Sequence, residues 1–153
     1  MLSVASRSDL DNVLLLYKSL LNTKYCVWDE YYPSMDNIIE DYNNNSLYVI
    51  KDNNKIIAAI SIVPVNELDD YFNNKNACEI ARVGVLADYQ NKGYGRLLVS
   101  NIIEIVKNRY DAIHLAVEVN NLYAIRLYEH FGFKRVCEAK MYDNTYFLYE
   151  KVL

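Results

Sequence analysis

The sequence predicts an α+β fold of mixed α/β layers, and three observations carry that prediction. Apolar residues recur at helical spacing in some stretches, as at Leu10, Val13, Leu14, Tyr17 and Leu21. Other runs are short, β-branched and bounded by Asn, Asp or Gly, as strands are. The two kinds follow one another in the order β-α-α-β-β-β-α-β-α-β-β, with no repeat and no linker.

Taken in order, residues 2–5 read as a short first strand. Ser8 is placed to cap a helix over 9–21. Residues 28–32 form an aromatic and acidic connector. A second helix over 34–42 starts at Pro33 or Ser34 and breaks at Asn43-Asn44-Asn45. Residues 47–51 and 55–63 make a hairpin around Asp52-Asn53-Asn54. Residues 64–76 are a polar loop, longer than most hairpin connections. A strand over 78–86 leads into a glycine loop and a helix from Arg96 to about residue 110. Residues 112–119 are the next strand, and Asn121 caps a helix that Gly132 stops near residue 131. Residues 134–142 and 145–150 close the chain as a hairpin around Asp143-Asn144.

With 153 residues and 52% apolar content, the chain reads as a single domain over 1–153. No apolar run reaches the roughly 18 residues that span a bilayer, and the start lacks the basic and apolar regions of a signal peptide. Cys26, Cys78 and Cys137 are odd in number and widely spaced, which suits a reducing cytoplasm, and they read as small core residues. No metal-ligand spacing is present. The net charge of −4 argues against a nucleic-acid surface. A homodimer is left open.

Two of the four glycines stand together in Gln90-Asn91-Lys92-Gly93-Tyr94-Gly95-Arg96. Strand, Gly-x-Gly loop and helix present bare N–H groups to a phosphate, and the helix start carries about half a positive charge. Lys92 and Arg96 add charge beside it. The string is not a Walker loop, and the position of a dinucleotide fingerprint's third glycine is Leu98. That excludes the commonest nucleotide cradles and leaves a different phosphate-bearing ligand. Gly84 interrupts a β-branched run and marks either a bulge or a close backbone approach.

Two segments together resemble the GNAT superfamily of acyl-CoA-dependent N-acyltransferases. The first is Val83-Gly84-Val85 followed by Gln90, Gly93 and Gly95. The second runs from Asn121 through Ala124, Leu127 and Tyr128 to Gly132 and Phe133. The resemblance covers essentially the whole chain. It implies a central, mostly antiparallel mixed sheet, splayed between the fourth and fifth strands and flanked by helices. It implies transfer of an acetyl group from acetyl-CoA to a primary amine by direct attack. Gln90, Asn91, Lys92, Gly93, Tyr94, Gly95 and Arg96 would hold the pyrophosphate. Backbone groups of Val83, Gly84 and Val85 would pair with the pantetheine arm and polarise the thioester carbonyl. Asn121 and Ala124 would line the arm further along. Tyr128 would protonate the departing thiolate. A phenol of pKa about 10 can serve a thiol of pKa about 8.5.

The base that deprotonates the amine stays open. Glu79 stands at the offset that the histone-acetylating branch uses, four residues before Val83. Its face matches Val83 if no bulge intervenes. Glu118 on the next strand is the rival, and a water chain is the third reading. In the ribosomal-protein acetylating branch the catalytic glutamate aligns with Ala116, so that pattern is broken here. His114 and His130 read as structural, and Cys78 has no paired base that would make it a nucleophile.

Trp28, Asp29, Glu30, Tyr31 and Tyr32, then Glu67, Asp69 and Asp70, then Tyr142 and Tyr146, are the acceptor-side residues by the same resemblance. Carboxylates with aromatics suit a cationic amine. A small-molecule or peptide amine is the expected partner. The rival class is a non-catalytic acyl-CoA-binding sensor, which would need neither Tyr128 nor Glu79. A nucleotide-binding oxidoreductase fails on the missing third glycine.

Overall fold

The computed structural model describes residues 1–64 and 68–153. Its elements are β1 (Leu2–Val4), α1 (Leu10–Ser19), α2 (Met35–Asn43), β2 (Leu47–Asp52), β3 (Lys55–Val63), β4 (Ala77–Val85), α3 (Tyr94–Val106), β5 (Ala112–Glu118), α4 (Leu122–His130), β6 (Lys134–Met141) and β7 (Asn144–Val152). The order matches the one the sequence predicts. The strands lie in the order β1-β2-β3-β4-β5-β7-β6. The sheet is mostly antiparallel, with β4 and β5 parallel. The β4–β5 ladder covers only Ala77–Glu79 against Ala112–His114, whereas β5 pairs with β7 along its whole length.

The chain divides into two compact units. One comprises residues 1–62 and 81–98, the other residues 63–80 and 99–153. In the first, Leu10, Val13, Leu16 and Tyr17 of α1 and Ile38 of α2 pack with Leu47, Val49, Ile56 and Ala59. In the second, Leu68, Phe72, Ala139 and Leu148 form a buried cluster. Among the described residues, no helix is long and apolar enough to cross a membrane.

Boundaries differ from expectation where side chains compete for the helix ends. Ser6, not Ser8, starts the first helical segment. The Asp9 carboxylate accepts the Ser6 N–H at 2.8 Å and its hydroxyl at 2.9 Å. A 3-10 turn over Arg7–Asp9 precedes α1, which ends at Ser19. Its buried face uses Leu10, Val13, Leu16 and Tyr17, and Leu20 is buried just past its end, while Leu14 and Leu21 are half-buried. Ser34 caps α2 by accepting the Asn37 N–H. The hairpin tips are two-residue loops at Asn53-Asn54 and Tyr142-Asp143, all four residues in the left-handed region that such loops require. The polar loop carries a 3-10 turn over Asp69–Tyr71 between buried Leu68 and Phe72.

Candidate functional site

In the first unit, Gln90 to Arg96 lead from β4 into α3. Gly93 takes φ +91°, and a Cβ built there would meet nothing within 4 Å. Asn91 is also left-handed, at φ 61°. The first helical bond runs from the Leu97 N–H to the Gly93 carbonyl at 3.0 Å, so the N–H groups of Tyr94, Gly95 and Arg96 form the helix's first turn. The helix starts two residues earlier than predicted and takes Gly95 into that turn. The Gln90 amide donates to the Val85 carbonyl at 2.9 Å and ties the loop to its own strand. Lys92 sits 5.7 Å over the Tyr89 ring, whose hydroxyl donates to Asp52 at 2.8 Å. Lys92 and Arg96 are exposed. Open backbone, helix start and two exposed cations fit a diphosphate-bearing ligand.

The strand irregularity lies two residues before the glycine that predicts it. Arg82, not Gly84, has a left-handed φ of 50°. Gly84 is a close approach instead: a Cβ there would lie 3.0 Å from the Leu20 Cδ1 and 3.5 Å from the Tyr17 ring. The glycine lets α1 seat on β4, and the irregularity comes from a residue held by distant partners. Arg82 donates through Nε and Nη2 to the two oxygens of buried Asp41, each at 2.7 Å. Its Nη1 donates to the Tyr32 hydroxyl at 3.0 Å. Burial works against the guanidinium charge, but the hydrogen bonds and charge of Asp41 outweigh it and hold Arg82 above its usual pKa. The Ser61 hydroxyl completes the cluster by donating to Asp41 at 2.6 Å. Sequence reasoning missed this network. The available signal was a charged residue inside an apolar strand, which calls for a buried partner.

The connector between α1 and α2 is ordered by its own carboxylate. Asp29 accepts the N–H groups of Tyr31 and Tyr32 at 2.8 and 3.0 Å. Trp28 meets Tyr17 edge-on, with centroids 5.2 Å apart. Tyr31 is exposed, and so is Glu30.

In the second unit, Asn121 caps α4, its side-chain oxygen accepting the Ala124 N–H at 3.0 Å. Tyr128 is buried two turns on, edge-on to Phe133 at 5.5 Å. Burial, with a smaller contribution from Tyr123, pushes its phenol well above 10, so it is protonated through the neutral range. Both oxygens of Glu118 are engaged by Asn120, the backbone N–H at 2.9 Å and the side-chain amide at 3.0 Å. Glu79 is half-buried and stands in register with His114 across the β4–β5 ladder. His114 is fully buried, 2.7 Å from Glu150 and stacked on Phe72 with centroids 3.7 Å apart. Cys78 is buried, and burial pushes its thiol up to about 12, which removes the thiolate that a nucleophile needs. Cys26 and Cys137 are half-buried. Of the acidic residues expected on the acceptor side, Asp69 and Asp70 lie in the 3-10 turn and Glu67 lies outside the described residues. Tyr142 is exposed at its hairpin tip and Tyr146 is half-buried.

A model of the acetyltransferase (GNAT) family matches residues 14–133. The uncharacterized N-acetyltransferase YlbP of Bacillus subtilis is 41% identical over 66 residues, which are 42% of this chain and 41% of that protein. The N-alpha-acetyltransferase of Saccharolobus solfataricus is 38% identical over 65 residues, 41% of this chain and 39% of that one. The chain thus spans about two fifths of each of these relatives. The structure of YncA from Salmonella typhimurium with its cofactor acetyl-CoA superposes with a TM-score of 0.81 at 18% identity, covering 99% of this chain and 92% of that one.

Proposed function

The chain belongs to the acetyltransferase (GNAT) family, and from that premise we propose that it is an N-acetyltransferase, one catalytic domain that moves an acetyl group from acetyl-CoA to a primary amine in the cytoplasm. The observation that carries this reading is the open, left-handed Gly93 backbone leading into the first turn of α3. A phosphate can approach that backbone, and the helix dipole favours it. Val83 and Val85 hold the pantetheine arm and the thioester carbonyl through backbone groups, next to Gly84. Asn121 and Ala124 border the arm on α4. The amine attacks the thioester carbon, and Tyr128 delivers a proton to the sulfur as the carbon–sulfur bond breaks.

Glu79 is the base in this reading, acting directly or through water. Glu79 is placed ahead of Glu118 because it is half-buried on β4, four residues before Val83. Glu79→Gln should lower kcat/KM about 10²-fold, the low end for a lost general base. Glu118→Gln should cost only a few-fold, because an amide oxygen still accepts the Asn120 N–H. Steady-state kinetics of both variants decide the matter. The reverse ranking transfers the role to Glu118, and two mild effects favour a water relay.

The acceptor is a basic amine, small or at the end of a peptide. Glu30, Asp70 and the aromatic residues Tyr31 and Tyr32 are exposed on the connector and the polar loop. Exposed carboxylates concentrate cations and are screened within about 8–10 Å at physiological ionic strength. An amine panel with thiol release as readout should rank basic amines above acidic amino acids. Rates at subsaturating amine should fall as salt rises. No thiol release with any amine, despite acetyl-CoA binding, would leave the sensor reading standing. Acidic amines outperforming basic ones, at rates insensitive to salt, would overturn the acceptor assignment.

A further inference from the structure

Arg82 is strained and anchored at both ends. A left-handed backbone costs a residue with a Cβ about 1–2 kcal/mol. Such outliers persist where the surroundings over-determine them, and they concentrate at functional sites. The side chain of Arg82 is forked onto Asp41, and its main-chain carbonyl accepts the Tyr17 hydroxyl at 3.1 Å. Tyr17 is fully buried on α1 and Asp41 is buried on α2, so both helices fix the same residue of β4. The next peptide group inherits that constraint. The Arg82–Val83 peptide is trans and planar, so its C=O and N–H point in opposite directions. Holding the Arg82 carbonyl toward Tyr17 therefore turns the Val83 N–H the other way.

We propose that Tyr17 and Arg82, with Asp41 behind them, are positioning residues that aim the Val83 N–H at the acyl carbonyl oxygen. This rests on the proposed acetyl-CoA site. As the amine adds, the carbonyl π pair moves onto oxygen, and a preaimed N–H meets that charge without reorganising. A buried ion pair is a poor way to gain stability, since apolar packing does as well. Its use here, on a strained residue, serves geometry.

The test uses Tyr17→Phe and Arg82→Lys in the full chain. The first removes one hydroxyl and keeps the ring packed on Trp28, and the second keeps charge but loses the fork. Single-turnover acetyl transfer should slow roughly tenfold in each, while the Kd of CoA itself stays within about twofold. The infrared carbonyl band of bound, 13C-labelled acetyl-CoA should move toward its free-solution position. Circular dichroism confirms that each variant is folded, and Arg82→Lys alone decides if Tyr17→Phe does not fold. Native rates and a native carbonyl band in a folded variant overturn the proposal while native transfer stands. Equal losses in CoA affinity and rate also overturn it, because they mark a collapsed site. A native protein that binds no acetyl-CoA sinks this proposal and the functional reading together.

Discussion

Tyr128→Phe is expected to lower kcat by about 10²–10⁴-fold, the usual range for a lost general acid. Acetyl-CoA affinity should be unchanged. The Phe ring keeps the edge contact with Phe133 and the buried volume, so the fold loses little. Burial raises the phenol's pKa and keeps it protonated at working pH, so the proton is present in every turnover. It follows that no alkaline limb in kcat below about pH 10 should come from Tyr128, since its pKa lies above the ordinary tyrosine value. Rapid-quench measurement of the first turnover separates chemistry from product release. A native first-turnover rate in the Phe variant would take Tyr128 out of the mechanism.

The elements that the sequence exposes are those whose causes are local. The Gly93 loop, the Asn121 cap and the stop at Gly132 each depend on residues within a few positions, and each stands where the spacing puts it. Helix starts slipped where two caps competed: Ser6 wins over Ser8 because Asp9 returns its hydrogen bond. Of the two readings left open at Gly84, the close approach holds, and the irregularity stands at Arg82 for a different reason. Glycine is the residue expected at a positive φ, but Arg82 is held there by Asp41 and Tyr17, which lie 41 and 65 positions away. No periodicity encodes such a pairing. Gly84 answers instead to Leu20 and Tyr17, a contact equally remote in sequence. The acidic connector was legible as composition only. Asp29 spends one carboxylate oxygen on its own turn, and Glu30 beside it is exposed as well.

Gly93→Asn is expected to weaken CoA binding about 10- to 100-fold, the worth of one phosphate hydrogen bond of about 1.5–3 kcal/mol to a charged group. The choice of residue separates two causes. A β-branched side chain at φ +91° would strain the loop as well as block it. Asn tolerates positive φ better than other residues with a Cβ, so it strains the turn less than they would. Its side chain enters space that holds no protein atom within 4 Å of the added Cβ. The variant should therefore melt within a few degrees of the native protein, yet lose the close backbone approach that the pyrophosphate needs. Calorimetric titration with CoA measures the loss. Titration with dephosphorylated pantetheine serves as the control, because a ligand without the diphosphate should be indifferent to the substitution. Native CoA affinity in Gly93→Asn would move the phosphate site away from the start of α3, and the assignment of Gln90 to Arg96 would go with it.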